Sequence, residues 1–195
     1  MWILPELSIA VVLAANPLAA AVAGQGATAP VPAVATAVRT GEHDFDFEIG
    51  TWTTHVRVLR NPLSGEVPKW AEYLGTSVVR PLLQGRANFV ELAVEGAAGR
   101  IEGGSLRLYN PQTRQWSVNF ASVRNGMLTA PVFGAFDGRG MGRFYGQDMM
   151  DGRAILVRFV ITQISRREAH FEQAYSADGG VTWETNWIAV DTLRE

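Results

Sequence analysis

From residue 47 onward the chain alternates apolar and polar positions with a period of two. In "RQWSVNF", Trp116, Val118 and Phe120 fall on one face and Ser117 and Asn119 on the other. In "AILVRFVIT", Ile155, Val157, Phe159 and Ile161 alternate with Leu156, Arg158, Val160 and Thr162. In "HFEQAY", Phe171, Gln173 and Tyr175 alternate with His170, Glu172 and Ala174. A period of two marks strands whose two faces meet different surroundings. No stretch keeps an apolar period of about 3.6 residues between helix caps. The pattern predicts strands over 47–60, 69–80, 87–95, 100–109, 115–124, 127–136, 140–149, 153–164, 168–177 and 182–191. Turn signals separate them: "NPLSG", "GAAG", "NPQTRQ", "RNG", "DGRG", "MDGR" and "SADGG".

Evenly spaced strands joined by tight turns predict an all-β domain, a single antiparallel up-and-down β-barrel of about ten strands. Closure removes the exposed edges of such a sheet. Ten strands enclose a wider interior than an eight-stranded barrel, whose own side chains fill it. The pattern therefore predicts a cavity for one small apolar or amphipathic ligand. Trp52, Phe120, Phe159 and Trp187 are its candidate wall residues, with Asn119 and Arg158 as candidate polar anchors. Simple alternation gives Trp187 the same face as Trp183, which also allows external packing for either.

The chain has 195 residues, enough for one domain. Apolar residues make up 47%, enough to bury a core. With 17 basic and 19 acidic residues the net charge is −2, and no basic stripe points to nucleic acid. There is no cysteine, which excludes disulfides, thiol catalysis, cysteine-ligated metal and a lipobox anchor.

Residues 1–23 read as a secretory signal peptide: an apolar run, then Ala21-Val22-Ala23 as an A-x-A cleavage site. A positively charged n-region is missing, since Glu6 is the charge before the apolar run. Asn16-Pro17 breaks the run below the roughly 20 apolar residues of a membrane span. Residues 24–40 are rich in Ala, Pro and Thr and predict an extended linker. The domain is expected over 41–195, in an exported protein, periplasmic or secreted, with no membrane span once the leader is removed.

"SADGGVTWE" matches the Asp-box pattern S-x-D-x-G-x-T-W through Ser176, Asp178, Gly180, Thr182 and Trp183. Repeated copies of this hairpin occur in sialidase propellers. Six blades need about twenty-four strands of roughly 10 residues, or about 240 residues, which this chain lacks. The single copy is read as a turn device: glycines at the bend, Asp178 accepting backbone N–H groups, Trp183 packing beside the hairpin. It defines no pair of catalytic carboxylates.

At "HDFDFEIGTW" the chain resembles a family of bacterial secreted proteins of unknown function. The shared motifs are His43-Asp44-Phe45-Asp46-Phe47, Gly50, Trp52, the segment Leu106 to Gln112, and Phe171 through Thr192. The resemblance covers about residues 42–195. It implies a calycin-like barrel, related to lipocalins, in which Gly50 lets the first strand bend and Trp52 closes one end. It implies no reaction.

A haem-binding, nitrobindin-type barrel is the neighbouring alternative. It requires an inward histidine, and the candidates are His43, His55 and His170. His170 alternates with Glu172 in a polar register, which places it outside. Otherwise no cofactor is expected. His43, Asp44 and Asp46 offer oxygen and nitrogen ligands but no fixed metal geometry, so no metal site is assigned, and Phe45 and Phe47 are expected to plug the barrel.

Glu72, Glu91, Arg107, Asn119, Arg158, Glu172 and Glu184 occupy polar faces. The apolar partner faces of those strands predict that they point outward. Were they inward, they would form a polar cavity suited to carboxylate binding or acid–base catalysis. There is no G-x-S-x-G turn, and "GRGMGRF" reads as a hairpin turn rather than a phosphate loop. Met127, Leu128, Val132, Phe133 and Phe136 are expected to pack, with a ligand portal as the alternative. Non-covalent binding of a small hydrophobic or amphipathic molecule is the function expected. An isomerase, lyase or hydrolase using Arg and Glu groups in the cavity is the competing class. A strongly shifted carboxylate in a deep pocket favours the enzyme, an apolar pocket the binder, and a filled interior a structural role.

Overall fold

The computed structural model describes residues 40–194. The expected leader and nearly all of the expected linker lie outside the described residues. Eleven strands form one antiparallel sheet: β1 Gly50–Leu59, β2 Trp70–Leu82, β3 Ala87–Gly96, β4 Gly99–Asn110, β5 Gln115–Ser122, β6 Met127–Leu128, β7 Val132–Phe136, β8 Met141–Met150, β9 Arg153–Gln163, β10 Glu168–Ser176 and β11 Glu184–Leu193. Each long strand pairs with its sequence neighbours. β11 pairs back onto β1, from Trp52↔Leu193 to Val58↔Trp187, and this closes the sheet into a ten-stranded barrel.

The predicted strand over 127–136 is two pieces. β6 pairs with Ala121 and Ser122 of β5, and β7 pairs with residues 116–118 of the same strand. Pro131 stands between them, and proline has no N–H to give to a ladder. The predicted start at residue 47 is corrected too, because Asp46–Glu48 is a single turn of 3₁₀-helix ahead of β1.

That turn plugs one end of the barrel. Phe45 is fully buried, edge-on to Trp116 and Phe136 with ring centroids 4.9 Å away, and stacked on Phe144 at 5.8 Å. Phe47 adds an edge contact to Phe136 at 5.9 Å. The Trp52 indole N–H donates to the Glu48 carbonyl at 2.7 Å, tying the first strand to the plug. The plug sits on a cluster that includes Val118, Val132, Phe144, Val157 and Ile161, contributed by β5 and β7–β9. A second cluster of Val56, Tyr73, Val94 and Ala189 lies across the barrel on β1–β3 and β11.

The outer wall carries charged pairs, including Arg80 with Glu91 at 3.0 Å and Arg57 with Glu72 at 3.7 Å. No helix among the described residues is long and apolar enough to cross a membrane.

The Asp-box forms the β10–β11 turn. Asp178 accepts from the Thr182 amide at 2.9 Å, from its hydroxyl at 2.6 Å and from the Ser176 hydroxyl at 2.8 Å. These bonds, the Thr182 hydroxyl first, hold its carboxyl down at about 2. Gly180 has φ +92°, and its amide donates to Ser176 Oγ at 2.8 Å. The Trp183 indole packs outside the barrel, under the Arg158 guanidinium at 4.8 Å and beside Tyr145 at 6.1 Å.

Phe45→Ala removes the plug's anchor and lowers stability by about 3–5 kcal/mol in denaturant unfolding. Gly180→Val forces a β-branched side chain into the left-handed region at about 1–3 kcal/mol, and Asp178→Ala lowers the melting temperature. Neither Asp-box variant abolishes ligand binding selectively. Selective loss at unchanged thermal stability would overturn the structural role of the turn.

Candidate functional site

The plug fills one end of the barrel, but the interior above it is not filled. A cavity of about 140 Å³ remains. That is below the roughly 300 Å³ at which drug-sized sites begin. It is close to the size of an engineered cavity, about 150 Å³, that admits a benzene ring.

Alternation decides which side chains reach it. β1 sends in Trp52, Thr54 and Val56; β5 sends in Val118 and Phe120; β9 sends in Phe159 and Ile161. β10 contributes Phe171 and Gln173, with Phe171 edge-on to Phe159 at 5.0 Å. β11 contributes Trp187, Ala189 and Asp191.

Trp187 is there because of a bulge. Gln173 pairs with Trp187 and Ala174 with Thr185, so Asn186 has no partner in the ladder. The extra residue shifts the parity of β11. Trp183 therefore packs outside while Trp187 faces in, although the two are an even number of residues apart. The Gln173 amide donates to Asn186 Oδ1 at 2.8 Å and spans the bulge.

Of the expected wall residues, Trp52, Phe120, Phe159 and Trp187 all line this cavity. Asn119 and Arg158, the expected anchors, do not. They occupy the opposite parity of β5 and β9. Asn119 donates to the Thr129 carbonyl at 2.9 Å, and Arg158 lies 3.7 Å from Glu172 and over Trp183. Glu72 and Glu91 are likewise outside.

Arg107 corrects the expectation of an outward polar face. Its neighbours Leu106 and Leu108 suggest that it faces solvent, yet its side chain is 8% exposed. It forms an ion pair with Glu48 of the plug and lies over the Phe45 ring at 4.2 Å. The reason is the plug: it supplies an inward carboxylate that a guanidinium must meet, and Leu108 takes the outer face at 37% exposure. Glu184 also departs from the outward expectation, accepting from the Leu63 amide at 2.5 Å in the loop after β1.

The other polar groups around Asp191 come from positions the pattern had not singled out. Thr54 and Ser77, both buried, donate their hydroxyls to Asp191 Oδ1, Ser77 at 3.0 Å. The two hydroxyls also touch each other. Burial pushes the Asp191 carboxyl up to about 6, with Glu48 adding to the rise and the hydroxyls and Arg107 opposing it. Asp191 was legible in principle, because Trp187, Ala189 and Asp191 share one parity in "WIAVD". An acidic residue at the end of that series reads as a solvated strand end unless the plug beneath it is known.

Of the three histidines, His170 borders the cavity and His43 and His55 do not. His55 has outward parity and sits 3.5 Å from Glu72; His170 is half exposed and 2.7 Å from Glu168; His43 is bonded to Asp46 at 2.9 Å. Among the described residues no three His, Asp or Glu side chains converge as a metal site. Of the expected portal, Val132 and Phe136 are buried, whereas Met127, Leu128 and Phe133 are exposed.

No protein-family model matches the chain. No curated protein matches it either. Solved structures similar to it include two β-barrels. A structure of EF1p2_mFAP2b bound to DFHBI is 9% identical, covers 79% of this chain and 99% of its own, and has a TM-score of 0.44. A redesigned β-barrel, mFAP1, bound to DFHBI, is 10% identical, covers 77% of this chain and 98% of its own, and has a TM-score of 0.41. At that level of likeness the barrel rests on the strand pairing above, not on the comparison.

Asp191 makes stability depend on pH. Its carboxyl loses a proton near 3.8 in an ordinary setting and near 6 in the fold. Between these values the folded protein holds a proton that the unfolded chain has released. Raising the pH through this window therefore removes stability, by about 3 kcal/mol once complete. Asp191→Asn carries no such charge. Its stability relative to the wild-type protein rises between pH 4 and pH 7 in urea unfolding; a constant difference would contradict the assignment.

Proposed function

We propose that this barrel binds a small apolar or amphipathic molecule non-covalently. The observation that carries this reading is the unfilled cavity walled by Trp52, Phe120, Phe159, Phe171 and Trp187, with polar groups gathered at its plugged end. Burial of apolar ligand surface supplies the driving force, and the few polar groups orient the ligand. The leader-like residues 1–23 and the "HDFDF" and "SADGGVTWE" motifs support placing it among exported bacterial barrels, periplasmic or secreted.

Asp191 favours a second reading. A carboxyl held near 6 in a water-poor cavity is suited to proton transfer near neutral pH. In that reading Asp191 is the base or acid, with Thr54 and Ser77 fixing its orientation.

Native mass spectrometry on protein purified from its host's envelope, with an absorbance scan, tests both. Binding predicts extra mass that vanishes on denaturation. The released compound, returned to fresh protein, stays unchanged if the barrel is a carrier and is converted if Asp191 works as a catalyst. A Soret band would replace both readings with a haem protein. A bare polypeptide mass with a flat visible spectrum would count against retention of a ligand.

A further inference from the structure

The charges around the cavity do not balance. At the plugged end Glu48 and Arg107 neutralise each other as an ion pair. Asp191, from β11, is left with hydroxyl donors and no cation of its own. The groups facing it are Thr54 from β1, Ser77 from β2, Glu48 from the plug and Arg107 from β4, whose guanidinium is already held by Glu48. His55 lies on the outer wall beside Glu72, whereas His170, from β10, borders the cavity with its ring 2.7 Å from Glu168. An ionised Asp191 thus gives the cavity end a net charge of about −1. A buried charge without a counter-ion is costly, and a ligand that supplies one removes that cost.

The atoms narrow the choice. Both hydroxyls donate to Oδ1, and among the described residues no hydrogen-bond donor is directed at Oδ2. An anionic ligand meets a guanidinium that is already committed: Arg107 Nη1 is engaged by Glu48, and its Nε is buried. An anion would also face two carboxylates. The walls above present two indoles and three phenyl rings, Trp52, Trp187, Phe120, Phe159 and Phe171. Aromatic faces attract cations and accommodate apolar groups equally well.

We propose that the cavity selects a small organic cation: an ammonium group carried on an apolar body about the size of one aromatic ring, its N–H directed at Asp191 Oδ2. This deepens the binding reading above and rests on it. Asp191 and the ammonium form a charge-assisted hydrogen bond in a poorly hydrated site, while the rings bury the apolar body. Binding requires ionised Asp191. Affinity is therefore full above the pH at which the carboxyl titrates, and it falls as the pH drops below that point.

Three single-ring probes separate the possibilities: benzylamine, benzyl alcohol and benzoate, titrated calorimetrically into the purified protein. Benzylamine is expected to bind about tenfold or more tightly than benzyl alcohol near pH 7.5, with benzoate the weakest. Between pH 7 and pH 5 benzylamine loses about tenfold in affinity, because Asp191 titrates near 6, while benzyl alcohol does not change. Asp191→Asn erases the preference for benzylamine over benzyl alcohol. Should that variant fail to fold, the wild-type pH profiles of the two probes carry the same test. Benzyl alcohol binding as tightly as benzylamine, or benzoate binding best, overturns the ammonium assignment and leaves ligand binding standing. Failure of all three probes to bind overturns both.

Discussion

The ion pair between Glu48 and Arg107 joins the 3₁₀ plug to the barrel wall, and much of the interior is arranged around it. A ten-stranded barrel encloses more space than its inward side chains fill. Here the Phe45–Glu48 segment closes one end, with Phe45 among Trp116, Phe136 and Phe144 and its ring beneath the Arg107 guanidinium. A buried ion pair of this kind is a weak source of net stability, because desolvating the two charges offsets their attraction. Losing one partner is far more damaging than lacking both. The pair therefore acts chiefly as a constraint: wherever Glu48 goes, Arg107 must face inward.

That constraint shapes the cavity. Burial raises the Asp191 carboxyl to about 6, and Arg107, paired with Glu48, opposes that rise only weakly. The Thr54 and Ser77 hydroxyls satisfy one of its oxygens. The result is a closed end with an under-compensated acid and, above it, walls of aromatic rings. Binding and proton transfer both draw on this same asymmetry, which is why Asp191 is central to each.

Much of the architecture was readable as pattern. Trp116-Val118-Phe120 and Ile155-Val157-Phe159-Ile161 point inward as their alternation requires, because a strand in a closed barrel has one dry face and one wet face. The turns are where Gly, Asn and Asp stand. The departures have local causes. Pro131 splits one predicted strand in two. The bulge at Asn186 sends Trp187 inward and leaves Trp183 outside, a two-for-one insertion that alternation cannot reveal.

The candidate site divides along the same line. Its apolar walls Trp52, Phe120 and Phe159 were identifiable because large inward residues announce themselves in an alternating strand, whereas the inward face of Trp187 depends on the bulge. The polar end of the site was not identifiable. Asn119 and Arg158 stood in conspicuous strands but on the wet face, whereas Arg107 and Asp191 looked solvated and are inside. The amino-acid sequence alone determines strand spacing, turn chemistry and the two-faced character of each strand, since these are properties of neighbouring residues. The inward turn of Arg107, the isolation of Asp191 and the residual cavity were decided only by the tertiary structure. Each depends on which side chain, distant in the chain, arrives to meet a buried charge or leave a space unfilled.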